Sequence, residues 1–280
     1  MRLLILLFAS ACVSLFSQEH FAQSVLTEQH APTSSLYLLL ESLGVTTGGD
    51  LQSIVESTQN HWLQKGKERW EFVPLEEDKK ELLLPIFKEL RMVDTVNASC
   101  NTYDYALIYG ATYFSVLKRI KHLIAQFHRG VRFKQVILLT GQRDLNPNEN
   151  QFPVQTETEM MLALWETTPM PESMRSLPYL LIDTPKQKKN GLWMRPTTKD
   201  TLIEWLKTNP VPGTCLFVSN QPYSGYQESV ARSVLPATFS IETIGVSADP
   251  KLPVAIYLDN LARWLYEEKQ RRTSQVGISP

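Results

Sequence analysis

Cysteine is scarce in this chain, with three residues among 280. Cys12 lies in the apolar N-terminal run, so only Cys100 and Cys215 remain for the folded part. Two cysteines do not make a disulfide framework, and Cys215 sits in the apolar run "GTCLFVS", which is typical of a buried thiol. A single bridge between the two stays open as an alternative. Because CxxC, HExxH and clustered His and Cys are all absent, we predict no dedicated transition-metal site.

The motifs of several large enzyme classes are absent too. The sequence has neither GxGxxG nor GxxxxGK[ST], which gives no support to standard dinucleotide or P-loop nucleotide binding. It has no GxSxG turn, and none of its five histidines lies in a predicted strand-end loop. A Ser-His-Asp hydrolase is therefore not supported. The sequence does not identify a cofactor.

The chain also lacks an excess of charge of one sign. Its formal net charge is −1, so no nucleic-acid partner is predicted. Hydrophobic residues make up 43 % and charged residues 20 %, a balance typical of globular proteins. Beyond the N-terminus no apolar stretch approaches the ~18 residues of a transmembrane helix, so we predict no membrane span after that point.

The N-terminus has the pattern of a secretory signal. A short basic start, Met1-Arg2, precedes the apolar run "LLILLFASACVSLFS", which is short for a membrane span. We predict a signal peptide over residues 1–22 and a secreted or periplasmic protein. Two forms of processing stay open: ordinary cleavage between Ser17 and Ala22, or lipidation of Cys12, which would make a membrane-anchored lipoprotein. A buried N-terminal helix is a third reading, although the run lacks a polar face.

Residues 23–98 are predicted to be a linker followed by a helical extension. Gly44 is placed to stop a first helix. Asp50 is placed to cap a second helix and Gly66 to end it. A third helix is predicted to begin at Pro74, with acidic residues in its first turn. We find no chemical motif in this segment.

From residue 99 the pattern changes to short apolar runs that alternate with amphipathic stretches. The runs are "YDYALIYG", "FKQVILLTG", "LPYLLID", "GTCLFVS" and "FSIETIG". Apolar runs without alternation are typical of strands buried on both faces. We predict a Rossmann-like α/β domain over residues 99–270, with a mostly parallel five-stranded sheet and helices on both faces, and a flexible tail over residues 271–280.

In such a sheet, ligands bind outside the carboxyl ends of the strands. The loop after the second run, "TGQRD", is the most suggestive. Gly141 permits a tight exit from the strand, and Arg143 carries a planar guanidinium suited to phosphate or carboxylate. Thr156 and Glu159 form a capping-box pattern, as do Thr197 and Asp200, and both pairs are compatible with a structural or a ligand-binding role.

Several features together match one known family. A glycine-containing loop follows the first strand at Gly110, and Arg119 and Gly130 belong to the next helix and its end. "VILLTGQ" and the acidic helix start at residues 156–159 follow. This order, over about residues 103–245, resembles the bacterial YdcF/SanA-like (DUF218) domain family. Many members of that family are exported or membrane-anchored envelope proteins, and the resemblance implies the same for this chain.

The last family motif departs from the pattern. The helix start at residues 197–201 matches only loosely. In "SNQPYSGY", Tyr223 stands where the family has a His and Tyr226 where it has an Arg. The resemblance therefore carries no anion-binding or acid–base role to these two positions. Trp193, in the basic loop "KQKKNGLWMRPTT", is interpreted either as a lid over the site or as an anchor for a long loop.

We predict a pocket for a small anionic, nucleotide-like or sugar-phosphate ligand. The predicted catalytic residues are Asp144, Glu157 and Asp183. The predicted ligand-binding residues are Gly110, Thr140, Gly141, Arg143, Glu159, Asp200, Ser219, Asn220 and Tyr223. One hypothesis is an envelope-associated hydrolase or transferase, with a carboxylate as base and Arg143 as an electrostatic clamp; such carboxylates are also oxygen ligands for a divalent cation. The alternative is a non-catalytic binding or envelope-maintenance factor.

Overall fold

A computed structural model of the protein describes residues 21–146, 153–189 and 191–276. Residues 1–20, which make up most of the predicted signal peptide and include Cys12, lie outside the described residues. None of the described helices is both long and apolar enough to cross a lipid bilayer.

The five predicted strands form one parallel sheet, as the apolar runs indicate. A two-stranded antiparallel ribbon, β4–β5, lies outside it. In chain order the strands are β1 (Thr102–Tyr109), β2 (Arg132–Gly141), β3 (Tyr179–Thr184), β4 (Gln187–Lys189), β5 (Leu192–Met194), β6 (Thr214–Asn220) and β7 (Ser240–Val246). The order in the sheet is β3-β2-β1-β6-β7, with every neighbouring pair parallel. The strand order therefore reverses between β1 and β6, and a crevice is expected at their carboxyl ends.

Helices cover both faces of the sheet. The α-helices are α1 (Ala22–Val25), α2 (Ser34–Ser42), α3 (Leu51–His61), α4 (Lys80–Glu89), α5 (Tyr113–His128), α6 (Glu157–Thr167), α7 (Glu172–Arg175), α8 (Thr198–Leu206), α9 (Ser224–Val234) and α10 (Val254–Val276). Side chains alternate between the faces, so Ile108 packs against α5 and α6 on one side while Leu107 packs against α8 and α9 on the other. The Rossmann-like prediction is confirmed. Cys215 is buried in β6, and both Cys100 and Cys215 are free thiols.

The helical extension shares one core with the C-terminal helix. Residues of α1–α4 pack on α10, where Phe87 stacks on Tyr257 with ring centroids 4.6 Å apart. Phe21 meets Trp264 edge-on. The chain between α3 and α4 is thereby held beside α10, next to the carboxyl edge of the sheet.

Three helix boundaries differ from the sequence predictions: the end of α3, the start of α4 and the end of α10. α3 ends at His61 rather than near Gly66, because Trp62 turns into the core and the carboxylate of Asp259 accepts the backbone N–H of Gln64. α4 begins at Lys80 rather than after Pro74, following a short 3₁₀ turn.

α10 continues to Val276, past residue 271, where the sequence predicts a flexible tail. Arg271 and Arg272 there form ion pairs with the buried carboxylate of Glu268 one turn earlier in the same helix, and Arg272 also hydrogen-bonds His30 of the helical extension.

Candidate functional site

A cavity of about 330 Å³ opens at the reversal point of the sheet. Its floor is the loop after β1, residues 110–112, together with the start of α9. Residues 67–72 of the helical extension and residues 195–198 at the start of α8 form its walls, and α10 closes one side. Parts of the chain that are distant in sequence therefore meet at the place where the fold predicts a ligand.

Arg119 is the most unusual side chain of this cavity. It lies on α5 and is 1 % exposed, yet it lines the cavity. Its Nε donates to Oδ1 of Asn220 at 2.8 Å, and its Nη1 donates to the carbonyl oxygens of Tyr109 and Gly110 at 2.7 and 2.9 Å. All three acceptors are neutral. Burial and, next, the charge of Arg69 lower the pKa of Arg119 to about 10, so it remains charged at neutral pH.

A buried cation without a carboxylate partner is costly unless something else compensates its charge. Here the compensation is incomplete within the described residues. The loop that Arg119 braces leads directly into α5, whose first backbone N–H groups have no partner inside the helix and also favour an anion. An anionic ligand in the cavity would balance the charge of Arg119 and accept hydrogen bonds from the first N–H groups of α5.

Glu157 and Arg143 form an ion pair at the same floor. Arg143 Nε lies 2.7 Å from Glu157 Oε2, and both side chains are largely buried. Burial raises the pKa of Glu157, and the positive charge of Arg143 opposes that rise. Glu157 packs so closely over Gly110 that a Cβ there would collide with its carboxylate and lie 2.8 Å from the carbonyl oxygen of Leu139. Glycine is thus required at position 110 by this close approach.

Arg69 extends from the helical extension over the mouth of the cavity. Its guanidinium carbon lies 3.9 Å from the ring centroid of Tyr223, a cation–π contact. Arg195, on the opposite wall, is held by an ion pair of 2.7 Å with Glu68. The segment before α4 therefore both narrows the mouth and adds positive charge to it.

The lining charges do not balance. Each lining carboxylate has an arginine partner: Glu157 with Arg143, Glu68 with Arg195, and Asp259 with Arg263 at 2.8 Å. Three further cations line the cavity and have no carboxylate partner among the described residues: Lys67, Arg69 and Arg119. In a chain whose net charge is −1, the cavity is thus a concentrated positive site.

The structure brings some of the residues predicted from the sequence to this cavity. Those lining it are Gly110, Gly141, Arg143, Glu157 and Tyr223. Gly141 is small for a reason other than ligand approach, since a Cβ there would collide with Pro196. Asn220 does not line the cavity but holds Arg119, and Ser219 donates to Gln227, which does line it.

The other predicted residues lie elsewhere. Asp144 is exposed and paired with Lys186 at 2.8 Å. Asp183 ends β3, the edge strand, and accepts from the hydroxyl of Thr158 at 2.6 Å. Because two strand spacings separate β3 from β1, Asp183 is roughly 10 Å from the reversal point.

Thr140 donates to the carbonyl oxygen of Ile182. Glu159 and Asp200 complete the two capping boxes, which confirms their structural reading.

The sequence prediction missed the contributions of the helical extension and of α10. Lys67, Arg69 and Trp70 come from "KGKERWEF", a basic and aromatic cluster between two helices that could have marked this segment as functional. Asp259 and Arg263 are four residues apart and therefore lie on one face of α10. This spacing is common in helices and does not mark a functional site.

No group of three or more His, Cys, Asp or Glu side chains within the described ranges is placed to hold a metal ion. Comparison with protein families, with curated proteins and with solved structures finds no match to this chain. The function is therefore inferred from the geometry of the cavity alone.

Proposed function

We propose that this cavity binds a small molecule bearing a phosphate or a comparable compact anion, and that the protein is a hydrolase or transferase acting on it. The observation that carries the proposal is the buried guanidinium of Arg119, which faces the cavity with neutral acceptors only. Arg69 and Lys67 reinforce it from the opposite side. A planar guanidinium matches phosphate oxygens with paired hydrogen bonds.

The size of the cavity limits the ligand. Ligand pockets generally enclose about 300–1,000 Å³, and the cavity of about 330 Å³ lies at the lower end of that range. A sugar phosphate or a mononucleotide fits this volume better than a dinucleotide does. The exposed indole ring of Trp70 at the cavity offers apolar surface to the uncharged part of such a ligand.

Glu157 is the acid–base group of this proposal. Its raised pKa makes it a better proton carrier near neutral pH than an exposed carboxylate. It would take a proton from the attacking water or hydroxyl, or give one to the leaving oxygen. Arg119 and Arg69 would stabilise the charge that develops on the phosphate oxygens. Arg143, to which the sequence prediction gives the role of clamp, lines the cavity and also holds Glu157 in place.

A non-catalytic binding protein is the second candidate. The specific observation in its favour is that Glu157, Glu68 and Asp259 are all engaged in ion pairs, so no carboxylate of the lining is held ready beside a ligand. Tyr223 and Tyr226 stand in place of the His and Arg of the YdcF/SanA-like pattern, and this difference also favours a non-catalytic binding protein. We propose a divergent relationship to that family, in which Arg69 supplies a cation at Tyr223.

Export through the N-terminal signal belongs to the same proposal. Phe21 is 2 % exposed and packs on Trp264, so its removal would open the core. This favours cleavage before Phe21 within the window from Ser17 to Ala22. The mass of the mature protein recovered from the cell envelope or the medium tests both the export and the cleavage site.

A thermal-shift screen tests the binding proposal. The panel contains inorganic phosphate, sugar phosphates, nucleotides, S-adenosylmethionine, polyprenyl-phosphate analogues and divalent cations. A ligand at ~100 times its dissociation constant stabilises the fold by about 2.7 kcal/mol. We expect phosphorylated compounds to stabilise the protein and uncharged analogues to have no effect; the reverse pattern would exclude the proposal.

Incubation with each stabilising ligand, followed by product analysis, distinguishes the two candidates. An enzyme yields product that the Glu157→Gln variant does not, while binding is retained. A binding protein yields no product in either form.

A further inference from the structure

The antiparallel ribbon β4–β5 exposes three large apolar side chains in succession. Leu192, Trp193 and Met194 are 69 %, 68 % and 49 % exposed. Successive side chains of a strand point to opposite faces, so the ribbon presents apolar surface on both of its faces. Contiguous exposed apolar surface of this kind marks an interaction site in a soluble domain.

The same segment is strongly basic. Residues 184–199 carry four lysines and one arginine and contain no Asp or Glu. Lys188 lies directly opposite Trp193 in the ribbon, so a cation and an indole ring share one face. Lys188 is exposed, whereas Lys186 and Arg195 are paired with Asp144 and Glu68. A partner must therefore offer both an apolar interior and negative charge near its surface.

The distribution of the tryptophans also indicates an interaction surface at the β4–β5 ribbon. Four of the six, Trp62, Trp165, Trp205 and Trp264, are buried in the core. The two exposed ones, Trp70 and Trp193, belong to the two segments that border the cavity mouth, and the ion pair between Glu68 and Arg195 joins these segments. Tryptophan and basic side chains together are typical of surfaces that lie at a membrane–water interface.

We propose that the β4–β5 ribbon docks on a bilayer containing anionic lipids, with Leu192, Trp193 and Met194 entering the interface. Lys188, which shares a face with Trp193, would lie at the level of the anionic headgroups and contribute electrostatic attraction. The docked ribbon brings the cavity mouth close to the membrane surface. This docking face is separate from the ligand of the cavity and does not depend on the proposed function.

The test is co-sedimentation of the full chain with vesicles of phosphatidylcholine containing phosphatidylglycerol. The variant carries Leu192→Ser, Trp193→Ser and Met194→Ser together. The matched control carries Leu38→Ser, Leu82→Ser and Val211→Ser, three exposed apolar positions away from the ribbon. All forms keep the same N-terminal residues, so any binding by that segment is common to them.

We expect the ribbon variant to bind these vesicles at least about tenfold more weakly than the wild type, because the apolar area that enters the interface is lost. The control should bind like the wild type. Binding should fall on vesicles of phosphatidylcholine alone and at high salt. Equal binding by the ribbon variant and the wild type, or equal loss in the control, would overturn the proposal.

Two further readouts separate this proposal from others. The ribbon variant should retain its response to soluble phosphorylated ligands in the thermal-shift screen; loss of that response would mean that the ribbon is part of the cavity, and would overturn a separate docking face. Sedimentation velocity without vesicles should give the same mass for variant and wild type. A larger wild-type species that the variant lacks would assign the ribbon to self-association instead.

Discussion

The guanidinium Nε of Arg119 donates a hydrogen bond of 2.8 Å to Oδ1 of Asn220. Arg119 belongs to the helix that follows β1, and Asn220 ends β6, so the bond spans the point at which the strand order reverses. It fixes a buried positive charge at the one edge position where the crevice of an open α/β sheet is expected. The same bond thus stabilises the junction of the two strands and orients the cation of the cavity.

Arg69 is predicted to act in ligand binding more than in stability. The Arg69→Ala variant loses an exposed cation–π contact worth ~0.5–1 kcal/mol, so its melting temperature should fall only slightly. Its affinity for a phosphorylated ligand should fall by about tenfold, since a cation at the cavity mouth is lost. Calorimetric titration with a ligand from the screen measures the second effect.

Arg91→Ala is the matched control, because Arg91 makes the same kind of contact with Phe21, at 4.7 Å, outside the cavity. It should leave the affinity unchanged. An equal loss of affinity in both variants would show that the effect of Arg69 is not local.

Gly110 is predicted to tolerate no side chain. In Gly110→Ala the new Cβ meets the carboxylate of Glu157 and the backbone oxygen of Leu139. We expect a loss of about 1–3 kcal/mol in the free energy of unfolding, as for other overpacked sites, together with weaker ligand binding. Urea denaturation measures the first.

Gly48→Ala serves as the control, since its Cβ would approach nothing closer than the Ser53 hydroxyl at 3.2 Å. The double variant Gly110→Ala/Glu157→Ala should recover no stability, because the backbone contact remains and Arg143 loses its largely buried partner. Full wild-type stability in Gly110→Ala alone would contradict the described packing.

Glu157 is predicted to make stability depend on pH. Its pKa in the folded protein lies above the ordinary value of 4.5, so the folded state holds this proton more tightly than the unfolded state does. The free energy of unfolding should therefore decrease as the pH rises from the ordinary value through the raised one. In Glu157→Gln this contribution is absent.

The difference in melting temperature between the wild type and Glu157→Gln, followed against pH, isolates this group. The comparison is needed because burial also raises the pKa of Glu228. The variant should gain stability relative to the wild type as the pH rises through this interval. A difference that does not change with pH would contradict a raised pKa for Glu157.

The fold could be predicted from local pattern, and half of the site with it. Runs such as "VILLT" have no polar alternation because both faces of their strands are covered, a constraint that is visible in the sequence itself. Gly110 and Arg143 could be found because they follow such runs closely, and Glu157 because it belongs to the acidic start of the next helix. Position at a strand end is not sufficient, however. Asp183 lies at the end of β3, which is an edge strand of the sheet, and the apolar pattern does not reveal the strand order.

The other half of the site depends on packing between distant segments. Arg69 reaches Tyr223 only because α3 and α4 pack on α10, through contacts such as that of Phe87 with Tyr257. No local spacing encodes a meeting of residues 69 and 223. The buried state of Arg119 is equally non-local, since an Arg on an amphipathic helix is normally exposed.

The central claim is that the incompletely compensated charge of Arg119 holds an anion, and the Asn220→Asp variant tests it most directly. Aspartate has the shape of asparagine but places a carboxylate 2.8 Å from Nε of Arg119, which supplies the missing partner. The control Asn209→Asp changes the net charge equally at an exposed position outside the cavity.

The measurement is calorimetric titration of the three proteins with inorganic phosphate. We predict saturable binding by the wild type and by Asn209→Asp, and binding at least about tenfold weaker by Asn220→Asp without loss of thermal stability. Equal phosphate affinity in Asn220→Asp and the wild type, or no saturable binding by the wild type, would contradict the account.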